Sequence, residues 1–106
     1  MDYNVQQGRT KAIISYFWWI GLLIAFLMNN NNYNSYAAFH IRQSIGLALL
    51  LLVISFITKF AWGIGGSILF LGWFVLWLIG LLSAIKGEEK PIPLLGEQFQ
   101  QWFRNI

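Results

Sequence analysis

His40, Arg42 and Gln43 stand together, followed by Ser44, directly in front of the apolar run 45–57. Nowhere else does the chain crowd an imidazole, a guanidinium and a carboxamide at the mouth of a greasy segment. Polar groups at such a mouth are either an anchor at the membrane interface or a site. On a helix, His40, Gln43 and Ser44 fall at i, i+3 and i+4 and share one side. Arg42 points roughly 100–200° away from each of them. As a site, the cluster would bind a partner, a lipid headgroup or a segment of a substrate. As an anchor, Arg42 would touch phosphate while His40 caps a turn. A proton relay through His40 finds no second group in the sequence that is expected to be buried beside it.

Other chemistry finds little to work with. The carboxylates are Asp2, Glu88, Glu89 and Glu97, all towards the chain ends and none inside an apolar run. With one His and no Cys, there is no metal-ligand spacing, no thiolate nucleophile and no disulfide. Residues 63–66 read Gly-Ile-Gly-Gly without a following Lys-Ser or Lys-Thr, so they suit a turn and not a phosphate loop. The expectation is a protein that is not an enzyme and holds no cofactor and no metal. Its net charge of +3 is small and scattered, which excludes a nucleic-acid surface. The basic residues sit at segment ends, where they suit headgroups.

The elements that must carry this cluster are membrane helices. Hydrophobic residues make up 58% of the chain and charged ones 10%, against about 45–50% and about 25% in soluble domains. Residues 12–39 and 60–85 carry no charge. A soluble chain of this size could not hide both runs in one core. We therefore expect one all-α integral membrane domain over 1–106, with three transmembrane helices at about 12–28, 41–60 and 67–85. Thr10 would cap the first, and Tyr16, Trp18 and Trp19 would lie at the headgroup level. The polar start offers no basic region of a cleaved signal, so the first helix is read as retained. The Asn-rich stretch 29–36 reads as a solvated linker. Trp62, Gly63, Gly65 and Gly66 suggest a tight turn, and Lys59 can snorkel. Lys86 and Gly87 read as a basic last turn and its C′ glycine, and Pro91 and Pro93 stop any continuation. After them, Leu95, Phe99, Trp102, Phe103 and Ile106 line one face of an amphipathic helix at about 95–105, expected to lie in the interface or cover the helix ends.

Three spans would put His40, Arg42 and Gln43 on the same membrane face as Glu88, Glu89 and Glu97. Arg9, Lys11 and Lys59 would share the other face. Lys and Arg then divide almost evenly, and the positive-inside rule barely orients the chain. Lys86, Lys90 and Arg104 favour a cytoplasmic C-terminus. Arg42 is expected to pair with Glu88, Glu89 or Glu97, worth about 0–1 kcal/mol at an exposed site. Gly80 with Ala84, and Ser44 with Ala48, make small-residue steps that would let helix backbones approach.

Phe39-His40-x-Arg42-Gln43-Ser44 resembles the Phe-His-Ala-Arg-Gln-Ala signature of small bacterial membrane proteins related to the chloroplast inner-envelope protein-import component of the Tic complex. Ala84-x-Lys86-Gly87-Glu88, with Pro91-Ile92-Pro93-Leu94-Leu95-Gly96, is similar to the same family's helix-end elements. The resemblance runs from about Lys11 to Gly96. It implies a helical bundle in a bacterial inner membrane, a link to protein translocation, and His40, Arg42, Gln43 and Glu88 as positions that bind a partner or lipid headgroups. The functional expectation is an accessory subunit or helper of a larger membrane complex, held in the lipid bilayer with a membrane-protein partner. The alternative is a small channel or transporter subunit working as a homo-oligomer. For a pore, the spans offer a thin lining of Ser15, Ser44, Ser55, Thr58, Ser67 and Ser83.

Overall fold

The computed structural model describes residues 3–59 and 64–104. Five helices follow one another: α1 (Tyr3–Ile14), α2 (Trp18–Asn31), α3 (Ser35–Thr58), α4 (Ile64–Lys86) and α5 (Gly96–Trp102). There is no strand among the described residues. Phe60, the expected turn residues Trp62 and Gly63, and the end of the expected C-terminal helix at Asn105 lie outside them. Gly65 and Gly66, expected in that turn, belong to the first turn of α4.

Two helices, α3 and α4, are long and apolar enough to cross a membrane. The 24 residues of α3 make about 36 Å of helix against a hydrocarbon core of about 30 Å. They run antiparallel. Tyr36, near the start of α3, donates its hydroxyl to the Ala84 carbonyl at 2.7 Å. Further along, Trp73 of α4 donates its indole N–H to the Leu47 carbonyl at 2.8 Å.

The continuous helix expected over 12–28 is two helices folded back on each other. α1 runs alongside α3 in the same direction: Gly8 lies against Asn34 and Ala37, and Ser15 meets Ser44 at 2.9 Å. The chain then reverses over residues 15–17, and α2 returns until Asn29 accepts the Asn34 N–H at 2.8 Å. No Pro or Gly marks this reversal, and its cause is tertiary. Ser15 turns its hydroxyl back to the Ala12 carbonyl, Tyr16 buries its ring in the bundle, and Trp18 adopts φ 65°. That left-handed conformation costs a non-glycine residue about 1–2 kcal/mol, offset by the contacts Tyr16 gains. Gly21 permits the close return: a Cβ there would sit 2.5 Å from the Ile14 carbonyl oxygen. Thr10, expected as a cap, lies inside α1.

The Asn-rich stretch is also more structured than a solvated linker. α2 continues through Asn31, so only residues 32–34 connect it to α3. Asn34 is the N-cap of α3, its side chain accepting the Ala37 N–H at 2.9 Å. That is the bond a helix start needs for an otherwise orphaned donor. Asn29 and Asn34 are both buried.

At the other end of the bundle's connections, α4 closes as the sequence suggests. Gly87 has φ 79°, the Glu88 N–H bonds the Ser83 carbonyl at 3.0 Å, and the Gly87 N–H bonds the Ala84 carbonyl at 3.3 Å. This is the Schellman pattern. Residues 88–95 then cross the bundle, and α5 settles on α3. Phe99 is buried against a notch at Gly46, where any Cβ would overlap the ring. Gln100 donates to the Phe39 carbonyl at 2.8 Å. Trp102, expected on the packed face, points outward.

Candidate functional site

The reversal at 15–17 delivers Tyr16 to the one polar cluster that the sequence singles out. His40 and Gln43 are both 0% exposed. They share one side of α3 with Ser44, and that side faces Tyr16 and Ser15. Gln43 donates its amide N–H to the Tyr16 hydroxyl oxygen at 2.8 Å, and its carbonyl oxygen accepts the Ile92 N–H at 2.8 Å. Tyr16 and His40 Nδ1 are 2.6 Å apart, and His40 Nε2 lies 2.8 Å from the Glu88 carbonyl.

The acceptors fix the direction of every proton. A backbone carbonyl can only accept, so Nε2 of His40 carries the hydrogen. In the neutral ring Nδ1 is then the acceptor, and the Tyr16 O–H donates to it. The chain reads Ile92 N–H to Gln43, Gln43 to Tyr16, Tyr16 to His40, and His40 to the Glu88 carbonyl. Ser83 donates to that same carbonyl at 2.9 Å. Aromatic edges enclose the imidazole: the ring centroids of Tyr36 and Phe39 lie 4.9 and 5.0 Å from it. Small residues let the partners approach. A Cβ on Gly80 would meet Tyr16 at 2.8 Å, and Ala84 is fully buried beneath Tyr36.

His40 thus has the buried companions that the sequence did not supply. Four segments converge on it: the 15–17 reversal, α3, the end of α4 and the strap before α5. Chemically the arrangement is a bolt. Each of these donors has an acceptor. Satisfied buried networks rigidify the structure that holds them. Among the described residues, no group of three His, Cys, Asp or Glu comes together to hold a metal. The best-formed hollow, lined by Asn29, Tyr33, Ala38 and Ile41 among others, has room for about one water.

Glu88 enters the bolt through its backbone carbonyl, while its carboxylate and the half-buried Arg42 side chain lie outside it. Arg42 makes no ion pair with Glu88, Glu89 or Glu97. It donates to the Arg104 carbonyl at 3.3 Å because its side of α3 faces the C-terminal segment. The one ion pair among the described residues joins Lys90 to Glu88 at 2.8 Å. The Lys90 ammonium, hydrogen-bonded to the Glu88 carboxylate, holds that carboxyl below its usual range, and the carboxylate raises Lys90 in turn. Sequence reasoning also missed Tyr16, taken for a headgroup-level marker, and Tyr36, taken for part of a solvated linker. The usable signal was that a tyrosine inside an apolar run needs a partner for its hydroxyl.

Lys11 lies elsewhere than three spans would require. Its ammonium donates to the Asn32 carbonyl, just before α3, and so sits at the same end as His40 and Arg42. Arg9, two residues earlier and beside Gly8, belongs to that end too.

Two archaeal proteins are similar to this chain, both from Methanocaldococcus jannaschii. The UPF0132 membrane protein MJ1527 is 25% identical over 110 residues, covering 100% of this chain and 76% of its own. The UPF0132 membrane protein MJ1443 is 32% identical over 73 residues, covering 65% of this chain and 64% of its own. No family model matches, and no solved structure matches. The chain is a membrane protein. Those two names and the two apolar helices agree on it, and its exposed apolar surface then has lipid to face. Both relatives are archaeal, whereas the motif resemblance points to bacteria.

Proposed function

We propose that this protein is a small accessory subunit or helper of a larger membrane complex, without catalytic chemistry of its own. What supports the reading is the closed polar bolt: the side chains best suited to chemistry, His40, Gln43 and Tyr16, spend their polar atoms on one another and on backbone. The outer faces of α2, α3 and α4 stay apolar and open. The motif resemblance adds protein translocation as the process to examine first. Gentle affinity purification from the native membrane, with mass spectrometry of what accompanies the chain, is the test. A stoichiometric larger membrane protein is expected. A clean homo-oligomer would replace this reading with the oligomeric pore.

The same geometry supports a topology in which α3 and α4 span and the α1–α2 hairpin dips in from one face without crossing. Non-helical backbone at membrane depth is tolerated where protein buries it, and Ser15 and Tyr16 in the reversal meet that condition. Ser15 and Tyr16 are buried, and the Tyr16 carbonyl accepts the Trp77 indole N–H at 2.6 Å. Ser15 meets Ser44, about 13 Å along α3 from its start. α1 and α5 then share a face with Arg9, Lys11, Arg42, Lys86, Lys90 and Arg104, six of the seven Lys and Arg, and only Lys59 lies opposite. That asymmetry favours a cytoplasmic side for α1 and α5. The chain has no Cys, so single cysteines give a clean background. With an impermeant maleimide on intact cells, Lys59→Cys should react while Gln7→Cys and Gln98→Cys stay protected. Three spans would instead put Gln7 and Lys59 on one side and Gln98 on the other.

A further inference from the structure

We propose that the Arg42–Arg104 corner of the molecule binds the phosphates of anionic lipid headgroups in the leaflet around the chain ends. Of the six cations at this end, only Lys90 is in an ion pair among the described residues. Arg9, Lys11, Arg42, Lys86 and Arg104 have no carboxylate partner there, and the acids nearby are Glu88, already held by Lys90, with Glu89 and Glu97. Among the described residues, six cations stand at this end against three carboxylates, so it carries net positive charge. Within it, Arg42 and Arg104 are brought together across α3 and the C-terminal segment by the bond from the Arg42 guanidinium to the Arg104 carbonyl. That bond uses one edge of the Arg42 guanidinium, and the Arg104 side chain is exposed.

Apolar groups on the same segment favour a lipid over a dissolved anion. Trp102 is 64% exposed and Leu94 is 92% exposed. Leu94 is held outward by strain: it has φ 75° in a γ-turn closed by the Leu95 N–H on the Pro93 carbonyl at 2.9 Å. A leucine at positive φ is an outlier that persists only where its surroundings impose it. Water gives no reason to display that side chain, and an acyl-chain boundary does. Guanidinium groups with an exposed indole and an exposed leucine on the same segment suit a leaflet, which offers both phosphate and hydrocarbon.

The test uses the full chain in a neutral detergent, melted with increasing phosphatidylglycerol, phosphatidylcholine or inorganic phosphate. Phosphatidylglycerol should raise the melting temperature saturably, and the other two should not. Arg104→Gln and Arg42→Gln should each weaken half-saturation by about fivefold, the worth of one basic residue at an anionic surface. Lys59→Gln should leave it unchanged. Equal stabilisation by phosphatidylcholine, or equal weakening by Lys59→Gln, would overturn the proposal. The same shift with inorganic phosphate alone would also overturn it, making the corner a small-anion site. Should Arg42→Gln fold poorly, Arg104→Gln decides alone, since the bond from Arg42 goes to the backbone of residue 104. The inference rests on the two-span topology, and the two fail separately: cysteine labelling reads sides, whereas the lipid titration is made in detergent without any.

Discussion

The two ends of the α3–α4 pair are built differently. Around residues 36–47 of α3, buried side chains from four segments are joined by directed hydrogen bonds, and His40, Gln43, Tyr36 and Ile41 are sealed from solvent. Beyond Leu47, the described part of the bundle is two helices side by side. Leu52, Val53 and Phe56 on one, and Ile68, Leu71 and Phe74 on the other, are exposed. The boundary is marked by the Trp73 bond to the Leu47 carbonyl. In lipid, apolar surface gains little by burial, so association rests on packing and polar bonds. The near half has both in quantity, and the far half has contacts along one helix pair. We expect stability to be concentrated near His40 and tolerance to substitution beyond Leu49.

The strongest way to break that contrast is Gln43→Leu. It removes the acceptor of the buried Ile92 N–H and the donor to Tyr16 together. Each stranded buried group costs about 1–3 kcal/mol, so the melting temperature in detergent should fall more than for any far-half change. A melting temperature unchanged within error would mean that the bolt does not hold the near half.

Next in size is Gly46→Leu. The added side chain overlaps Phe99, and overpacking of this kind costs about 1–3 kcal/mol. Part of that is escaped by releasing α5, whose flanking segment is otherwise held by the Gln100 and Arg42 bonds and by packing of Leu95 and Phe103. Chymotrypsin should then cut at Phe99 faster than in the parent chain, while α3 and α4 survive. Unchanged protection of Phe99 would show that α5 is held by something other than the Gly46 notch.

How far the sequence reveals this contrast depends on the range of the forces involved. The end of α4 is legible because Lys86 and Gly87 act locally, and the helix closes at that glycine. The apolar runs of α3 and α4 are legible because spanning is a matter of length and composition. The reversal at 15–17 is not, because Tyr16 leaves the helix for partners 24 and 27 positions away. Hydropathy sees only an uninterrupted apolar run there. The error then spreads: one misread helix moves Arg9 and Lys11 to the other end of the bundle. The grouping of His40, Gln43 and Ser44 on one side was legible from spacing, but whether that side met lipid, water or protein depended on the same unseen tyrosine.

The smallest expected effect sharpens the contrast from the other side. Leu52 is 66% exposed, and substitutions at exposed positions away from special features stay within about 0.5 kcal/mol. Leu52→Ala should therefore leave the detergent melting temperature unchanged, and this is the value against which Gln43→Leu is judged. The same variant carries more information in the native membrane. If lipid alone covers the far half, Leu52→Ala changes neither melting nor the set of proteins that co-purify. If a protein partner packs there, the truncation removes contact area from that interface and weakens co-purification while the isolated chain melts as before. A large loss of melting temperature in detergent would contradict the division altogether, because it would place structural contacts where the molecule shows an open helix face.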